Sequence, residues 1–245
     1  MMLFRSVWLA RFVAVLSLPA CATTDAYSAK PITATVVDAE TGQPLEGVNV
    51  ITRWMLEEKR TGTGVGDLDL MEAVTDKNGK FLFHAWERKA PPTRTTPVSD
   101  TLTVRYETRL SSGSPEMIFF KGGYKPARMG NYNYLSPELR DQYHAWERSS
   151  DWSGKIIKME KFKGSLENYS SLANGTLSGL GNRIECAWKK IPFFLITILD
   201  EKERLEREGV RWPRNSLPSI ERVQQQFDNY GNCGSAKEFF KEYIK

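Results

Sequence analysis

Short segments in which apolar and polar residues alternate occupy most of the chain between residues 32 and 162. They lie at 32–37, 48–56, 70–86, 101–110, 116–124 and 155–162. Turn residues separate them, and the sequence DKNG at 76–79 divides the third segment into two halves. Because successive side chains of a strand point to opposite faces, this alternation predicts half-buried strands. Several short strands with turns between them and no interleaved helices are typical of a β-sandwich.

The last third of the chain has a helical periodicity instead. The first helical stripe consists of Ile184, Trp188, Ile191, Leu195, Ile198 and Leu205. Pro192 lies within this stretch, so either the helix kinks there or a second helix begins there. A second stripe, over residues 216–230, consists of Ile220, Val223, Phe227 and Tyr230. Ser235 and Glu238 form a capping box before the last segment. We therefore predict three or four helices, packed on each other or on the sandwich.

The chain begins with a pattern that is typical of a secretory signal. Arg5 and Arg11 precede the uncharged stretch FVAVLSL of residues 12–18. A membrane-spanning helix needs about 20 apolar residues, and Arg11 leaves too few for one. We therefore expect residues 1–20 to be removed as a signal peptide.

The residues at the expected cleavage point, Leu18, Pro19, Ala20 and Cys21, resemble the bacterial lipobox. In that motif the cysteine thiol receives a diacylglycerol, and the new amino group is acylated after cleavage. The resemblance implies a mature chain that begins at Cys21 and is attached to a membrane through lipid. Because residues 22–30 are small and polar, we interpret residues 21–30 as a flexible tether between the lipid and the fold. By resemblance to Gram-negative lipoproteins, the absence of Asp at position 22 favours the outer membrane, on its periplasmic face. The alternative is an ordinary signal with an incidental cysteine.

Composition narrows the class of partner. Removal of residues 1–20 leaves 225 residues, with 32 basic and 30 acidic side chains. A nucleic-acid-binding surface needs a clustered basic face, so this balance argues against a nucleic-acid partner. With Cys21 assigned to lipid, Cys186 and Cys233 remain, and in an exported protein we expect them to form a disulfide. The alternative is a pair of buried free thiols.

The predicted strands and turns also carry a family resemblance. The residues concerned are Thr35, Val37, Asp38, Thr41, Gly42, Pro44, Leu45, Gly47, Val48, Val50, Thr75, Asp76, Gly79, Phe81, Phe83, Gly123, Tyr124 and Lys125. They resemble the carboxypeptidase regulatory-like domain, a transthyretin-like seven-stranded sandwich. The resemblance covers residues 31–125 and extends to about 164 if 155–162 is the closing strand. It departs from the family in a longer glycine-bearing loop at 57–69 and an insert at 125–152.

This resemblance implies an α+β protein in which a transthyretin-like, seven-stranded antiparallel β-sandwich over 31–164 precedes a small helical C-terminal region over 165–245. In the family this domain carries no catalytic residues. It serves as a folding or docking module beside an enzyme, a receptor or a carbohydrate-binding partner. The fold by itself therefore implies no reaction.

Two motifs could indicate chemistry. The sequence HAWER occurs at 84–88 and again at 144–148, contains the only two histidines and has an H-x-x-E spacing like one used for zinc. In a strand, however, His84 and Glu87 would point to opposite faces, and a catalytic zinc needs three protein ligands. The sequence GTGVGD at 62–67 lacks the G-x-G-x-x-G spacing of a phosphate site, so it is interpreted as a hairpin loop. We expect neither a metal nor a cofactor.

The insert at 125–152 is rich in aromatic residues. They are Tyr132, Tyr134, Tyr143, Trp146 and Trp152. Aromatic faces with flanking polar groups suit sugar rings or a protein partner. Because aromatic residues usually become buried, we favour the alternative that these rings cover the sandwich edge or pack on the helical region.

The sequence therefore predicts a lipid-anchored envelope protein that is not an enzyme and acts as a binding or assembly module. Its partners would be a membrane, through Cys21, and an envelope protein or glycan. A glycan- or peptidoglycan-binding lipoprotein that uses the aromatic insert is one alternative. A hydrolase with an unrecognised site is the other.

The lipobox resemblance gives a direct prediction. Replacing Cys21 with Ser removes the thiol that would accept the lipid, so Cys21→Ser should abolish membrane attachment. Mass spectrometry of the mature N-terminus of the parent protein should show an acylated Cys21. An unmodified chain that begins at another residue would contradict the prediction.

Overall fold

The computed structural model describes residues 26–97, 102–131, 147–148, 150–177, 180, 184, 186–212 and 233–243. The strands are β1 (Tyr27–Ala29), β2 (Ile32–Asp38), β3 (Asn49–Glu58), β4 (Gly64–Val74), β5 (Lys80–Phe83), β6 (Trp86–Lys89), β7 (Arg94–Pro97), β8 (Thr103–Tyr106), β9 (Thr108–Leu110), β10 (Glu116–Phe120), β11 (Ala127–Met129), β12 (Glu147–Arg148) and β13 (Ile156–Met159). The helices are α1 (Leu166–Leu177), a 3-10 helix (Ala187–Lys190), α2 (Pro192–Arg207) and α3 (Ala236–Phe240).

Two sheets form the sandwich. The central sheet has the order β11-β10-β3-β4, with β9 paired to the end of β3, and the outer sheet has the order β13-β2-β5. Two smaller sheets have the orders β12-β1-β6 and β7-β8. Apolar side chains from both larger sheets, among them Val36, Val50, Phe81 and Phe119, form one hydrophobic core. The β-rich, sandwich-like α+β fold predicted from the alternation is thereby confirmed.

The central sheet is buried on both faces. Successive residues of β3 alternate between two cores, because Val50 belongs to the core between the sheets and Ile51 to a second core. In the second core, Ile51 and Phe120 of the sheet meet Phe194 of α2 and Phe240 of α3. The helices therefore form a third layer on the central sheet.

Strand direction differs from the predicted seven-stranded antiparallel arrangement. The described residues form thirteen strands, and β13 pairs in parallel with β2, so that Ile156 lies beside Thr35. The pair β1 and β12 is also parallel. Strand β12 lies within the long insert and β13 follows it, and a long connection allows a strand to enter a sheet in either direction, whereas a tight hairpin requires antiparallel pairing.

The glycine-bearing loop predicted at 57–69 is much shorter in the structure. Strand β3 continues to Glu58 and β4 already begins at Gly64. Asp67 and Asp69 lie in β4, where both carboxylates are paired with basic side chains and can therefore remain in a buried strand. The segment 101–110 also differs, since it forms two short strands, β8 and β9, instead of one.

The helical region agrees with the prediction where the structure describes it. All six residues of the first predicted stripe are buried. Pro192 begins a helix rather than kinking one, because a 3-10 helix precedes it and Ile191 is the N-cap. The Ser235 side chain accepts a hydrogen bond from the Glu238 amide at 3.3 Å, as expected for the capping box. The helix predicted at 216–230 lies outside the described residues.

Cys186 and Cys233 form the expected disulfide. Their sulfur atoms are 2.03 Å apart and their Cα atoms 5.4 Å apart. Cys186 is the N-cap of the 3-10 helix, and Cys233 lies shortly before α3. The bond therefore links two helical segments that are distant in sequence.

Gly79 should be required for a close approach between two backbones. It has a φ of +70°, and an added Cβ would lie 2.3 Å from the carbonyl oxygen of Val36. Gly79→Ala should therefore lower the free energy of unfolding by at least about 2 kcal/mol, measured by urea denaturation. Gly42→Ala is the matched control, because Gly42 also has a φ of +70° but its added Cβ would meet nothing within 4 Å. An equal loss in both variants would contradict the role assigned to the close approach.

Candidate functional site

The residues that carry the family resemblance form hydrogen bonds at one end of the sandwich. Asp38, at the end of β2, accepts hydrogen bonds from the amides of Glu40 and Thr41, each at 2.9 Å, and from the Tyr124 hydroxyl, also at 2.9 Å. The bond from the Thr41 amide is the main cause that lowers the pKa of Asp38 to about 2. The charged carboxylate therefore joins the turn after β2 to the segment after β10.

Thr75 stabilises the connection between β2 and β3. Its hydroxyl donates to the carbonyl of Leu45 at 2.6 Å and accepts from the amide of Val48 at 2.8 Å. Both distances are typical of good hydrogen bonds, and the residue is buried. Like Asp38, Thr75 is therefore engaged in structural contacts.

A buried ionic cluster crosses the central sheet. Arg53 donates to Asp67 and to Glu116, with one bond of 3.0 Å to each, and Arg128 lies 3.6 Å from Glu116. Burial raises the pKa of Asp67 to about 6, although the charge of Arg53 acts in the opposite direction. Two arginines balance two carboxylates in this cluster. Its charges therefore satisfy each other, and removal of one partner would leave a buried charge unpaired.

A second cluster joins β4 to β6 and to the 3-10 helix. The carboxylate of Asp69 accepts hydrogen bonds from the ammonium groups of Lys89 and Lys190. Burial alone would raise the pKa of Asp69, but the hydrogen bonds from Lys190 and Lys89 lower it below its usual value. The Lys89 ammonium also lies 4.9 Å from the centre of the Trp86 ring. This one carboxylate therefore connects two sheets and the helical layer.

Glu72 of β4 caps a helix from which it is distant in sequence. Its two carboxylate oxygens accept hydrogen bonds from the amides of Phe193 at 3.1 Å and Phe194 at 3.0 Å. These amides belong to the first turn of α2, where Ile191 as N-cap supplies no side-chain acceptor. Burial raises the pKa of Glu72 to about 7, although the two amide bonds act to lower it. Glu72 therefore fixes the start of α2 on the central sheet.

A further carboxylate lies between the two longer helices. Arg204 donates to both oxygens of Glu201, at 2.8 and 2.9 Å, and the nearby Tyr169 hydroxyl of α1 accepts a hydrogen bond from the Gly123 amide at 3.2 Å. Burial is the main cause that raises the pKa of Tyr169. An added Cβ at Gly122 would lie 2.8 Å from a Glu201 oxygen, so a larger residue there would require the Glu201 carboxylate to shift. The cluster therefore docks α1 and α2 on the loop after β10.

The doubled HAWER motif does not form a cluster in the part of the chain that the structure describes. His84 lies between β5 and β6 and is exposed, as is Glu87. His144 lies outside the described residues. Within those residues, no group of three or more His, Cys, Asp or Glu side chains is arranged to hold a metal ion.

Trp152 is the one proposed aromatic ligand-binding residue that the structure describes. It is half-buried and packs against the core of the sandwich, while the Lys155 ammonium lies 5.7 Å from the centre of its ring. This position corresponds to the interpretation in which the ring covers the sandwich. Tyr132, Tyr134, Tyr143 and Trp146 lie outside the described residues, as does Cys21.

Sequence reasoning missed the four carboxylate clusters. Asp67 and Asp69 gave a weak signal, because two acidic residues alternate within a segment that otherwise resembles a strand. Glu72 gave none, since the amides that it caps belong to residues 193 and 194. Contacts of this kind become visible only when distant segments are brought together.

The chain matches no known protein family and no curated protein. Among solved structures, chlorocatechol 1,2-dioxygenase from Pseudomonas putida is 15% identical, with a TM-score of 0.29, over 58% of this chain and 63% of the enzyme. Hydroxyquinol 1,2-dioxygenase from Pseudomonas putida DLL-E4 is 15% identical, with a TM-score of 0.30, over 57% of this chain and 58% of the enzyme. The matched part therefore spans about three fifths of each dioxygenase.

A pilin domain shows a similarly distant likeness. The C-terminal domain of the shaft pilin spaA from Lactobacillus rhamnosus GG is 15% identical, with a TM-score of 0.18, over 56% of this chain and 98% of that domain. None of the helices that the structure describes has the length and apolar composition to cross a bilayer.

Glu72 generates a prediction about pH. The folded state raises the pKa of Glu72 from 4.5 to about 7, so it binds the proton more tightly than the unfolded chain does. The contribution of Glu72 to stability is therefore greatest below about pH 4.5 and is lost as the pH rises towards about 7. Glu72→Gln cannot titrate. The stability advantage of the parent over this variant should thus shrink by more than about 1 kcal/mol between about pH 5 and pH 8.

Urea denaturation at several pH values measures this difference. Glu167→Gln is the matched control, because Glu167 lies in the first turn of α1 and is exposed. If the advantage of Glu72 grew as the pH rose, the direction of the pKa shift would be wrong.

Proposed function

We propose that this protein is a lipid-anchored component of a bacterial cell envelope, whose sandwich is a transthyretin-like, carboxypeptidase regulatory-like domain that acts as a non-catalytic binding or assembly module. The anchor would be the acylated Cys21, and the site of attachment the periplasmic face of the outer membrane. The proposal rests on the lipobox resemblance for the anchor and on the family resemblance for the module. The partner would be an envelope protein or a glycan.

One observation supports the non-catalytic role. The carboxylates of Asp38, Asp69, Glu72 and Glu201, which chemistry could recruit as acids or bases, are occupied by backbone amides or basic side chains of the fold itself. A general base must be within hydrogen-bond reach of a substrate proton. These carboxylates instead hold strands, turns and helices together. We infer that the polar clusters stabilise a scaffold, and that its surface makes the functional contacts.

The two alternatives have less support. A glycan site in the aromatic insert would need exposed rings, and Trp152 is packed against the sandwich core. A hydrolase would need convergent acid, base or metal-binding side chains. A zinc site built on the doubled HAWER motif is the most specific version of that alternative, and it can be tested.

Replacing His84 and His144 together with Gln should leave the metal content unchanged, because the binding-module proposal gives these residues no metal. The change should cost about 1 kcal/mol of stability at most, through a lost hydrogen bond. Elemental analysis of protein purified without an affinity tag measures the metal content. Near-stoichiometric zinc in the parent that disappears in the double variant would contradict the proposal and favour a metalloenzyme.

A further inference from the structure

The outward side of the outer sheet combines exposed aliphatic residues with lysines. In β2, β5 and β13, alternate residues are buried in the sandwich core, and the residues between them point away from it. We call this surface the outer sheet face. It consists of Thr33, Thr35, Lys80, Leu82, Ile156 and Lys158.

Two of these residues are unusually exposed for their type. Leu82 exposes 46% and Ile156 67% of its surface. Thr35 lies directly beside Ile156, and Thr33 lies directly beside Leu82. The two aliphatic side chains therefore extend beyond their shorter threonine neighbours. Nothing in the described structure covers this pair, which makes the face a candidate for contact with another surface.

The charge of the face has one sign. Its strand positions carry Lys80 and Lys158 and no carboxylate, while Asp76, in the turn before β5, interacts electrostatically with Lys80. Glu160, the acidic residue that follows β13, is paired with Lys125. Aliphatic side chains flanked by lysines suit the surface of an anionic bilayer, because the aliphatic groups enter the boundary of the acyl chains while the ammonium groups remain at the lipid phosphates.

The proposed lipid on Cys21 would bring a bilayer close to this face. Six residue steps separate Cys21 from Tyr27, the first residue of β1, and even a fully extended chain of that length spans only about 20 Å. Strand β1 leads into β2, the middle strand of the outer sheet, through only Lys30 and Pro31. A lipid on Cys21 would therefore hold Tyr27 within about 20 Å of the membrane surface, and the outer sheet close behind it, at a high local concentration.

We propose that the outer sheet face lies on the anionic lipid surface to which the chain is anchored, with Leu82 and Ile156 at the acyl boundary and Lys80 and Lys158 at the phosphates. This inference rests on the proposed acylation of Cys21. The sandwich would then have a fixed orientation, with the central sheet and the helical layer on the side away from the bilayer.

Lysine labelling of the full-length lipidated protein tests the orientation. The protein is reconstituted into vesicles that contain phosphatidylglycerol, and an amine reagent that does not cross membranes is added. Mass spectrometry then compares the labelling rate of each lysine with that of the unlipidated Cys21→Ser chain free in solution. We expect Lys80 and Lys158 to be labelled roughly fivefold more slowly on vesicles, whereas Lys237 of α3 should not change.

Two matched double variants test whether the membrane contact depends on this face or only on the number of exposed apolar residues. Leu82→Glu with Ile156→Glu should abolish the protection of Lys80 and Lys158. Leu102→Glu with Val104→Glu makes the same changes at exposed residues near and in β8 and should leave the protection intact. All four side chains are exposed, so thermal unfolding should show that both variants remain folded.

The outcomes separate the two proposals. An acylated protein in which Lys80 and Lys158 react as fast as Lys237 would overturn the proposed orientation while leaving the anchor intact. Equal loss of protection in both double variants would also overturn it. Protection that occurs only in intact envelopes and not on vesicles would show that a protein covers the face instead. A chain without an acyl group would refute the anchor, and this inference with it.

Discussion

Burial of the central sheet on both faces is the constraint on which the rest of the structure depends. Strand β3 has ten residues, and most of them are buried, so its side chains must satisfy two cores at once. The outer sheet covers one face and the helices cover the other. The helical region is therefore part of the same folded unit as the sandwich, because without it Ile51, Leu70, Ile118 and Phe120 would lie uncovered.

Because neither face of the central sheet is open to solvent, each charged residue on it needs a partner within the protein. A charge on a buried strand costs several kcal/mol unless a partner satisfies it. The fold meets this restriction in three ways, since Arg53 pairs with Asp67, Asp69 receives two lysines, and Glu72 receives the amides of α2. Each arrangement joins separate elements. The same contacts that satisfy the charges therefore link β3 to β4, and the central sheet to β6 and to the helical layer.

Local patterns in the sequence were sufficient to predict the elements, but not the way in which distant elements meet. Alternation located most strands, the helical stripe located the buried residues around Trp188, and the Ser235 capping box has the expected geometry. The parallel entry of β13 and the capping by Glu72 could not be predicted, because each joins segments more than a hundred residues apart. The glycines of residues 62–66 led to the prediction of a loop that included Asp67, whereas Asp67 lies in β4 and is paired with Arg53 of the neighbouring β3.

The pairing of β2 with β13 also affects the time at which the fold can form. Thr35 lies near the start of the chain, whereas its neighbour Ile156 lies about two thirds of the way along it. Closing so long a segment is slow, and native topologies with such distant contacts fold slowly. As the ribosome or a translocation pore releases the chain from its N-terminus, β2 must wait without its neighbour until residue 159 has emerged. During that interval the outer sheet is incomplete, and the edge of β2 that later pairs with β13 has no partner strand.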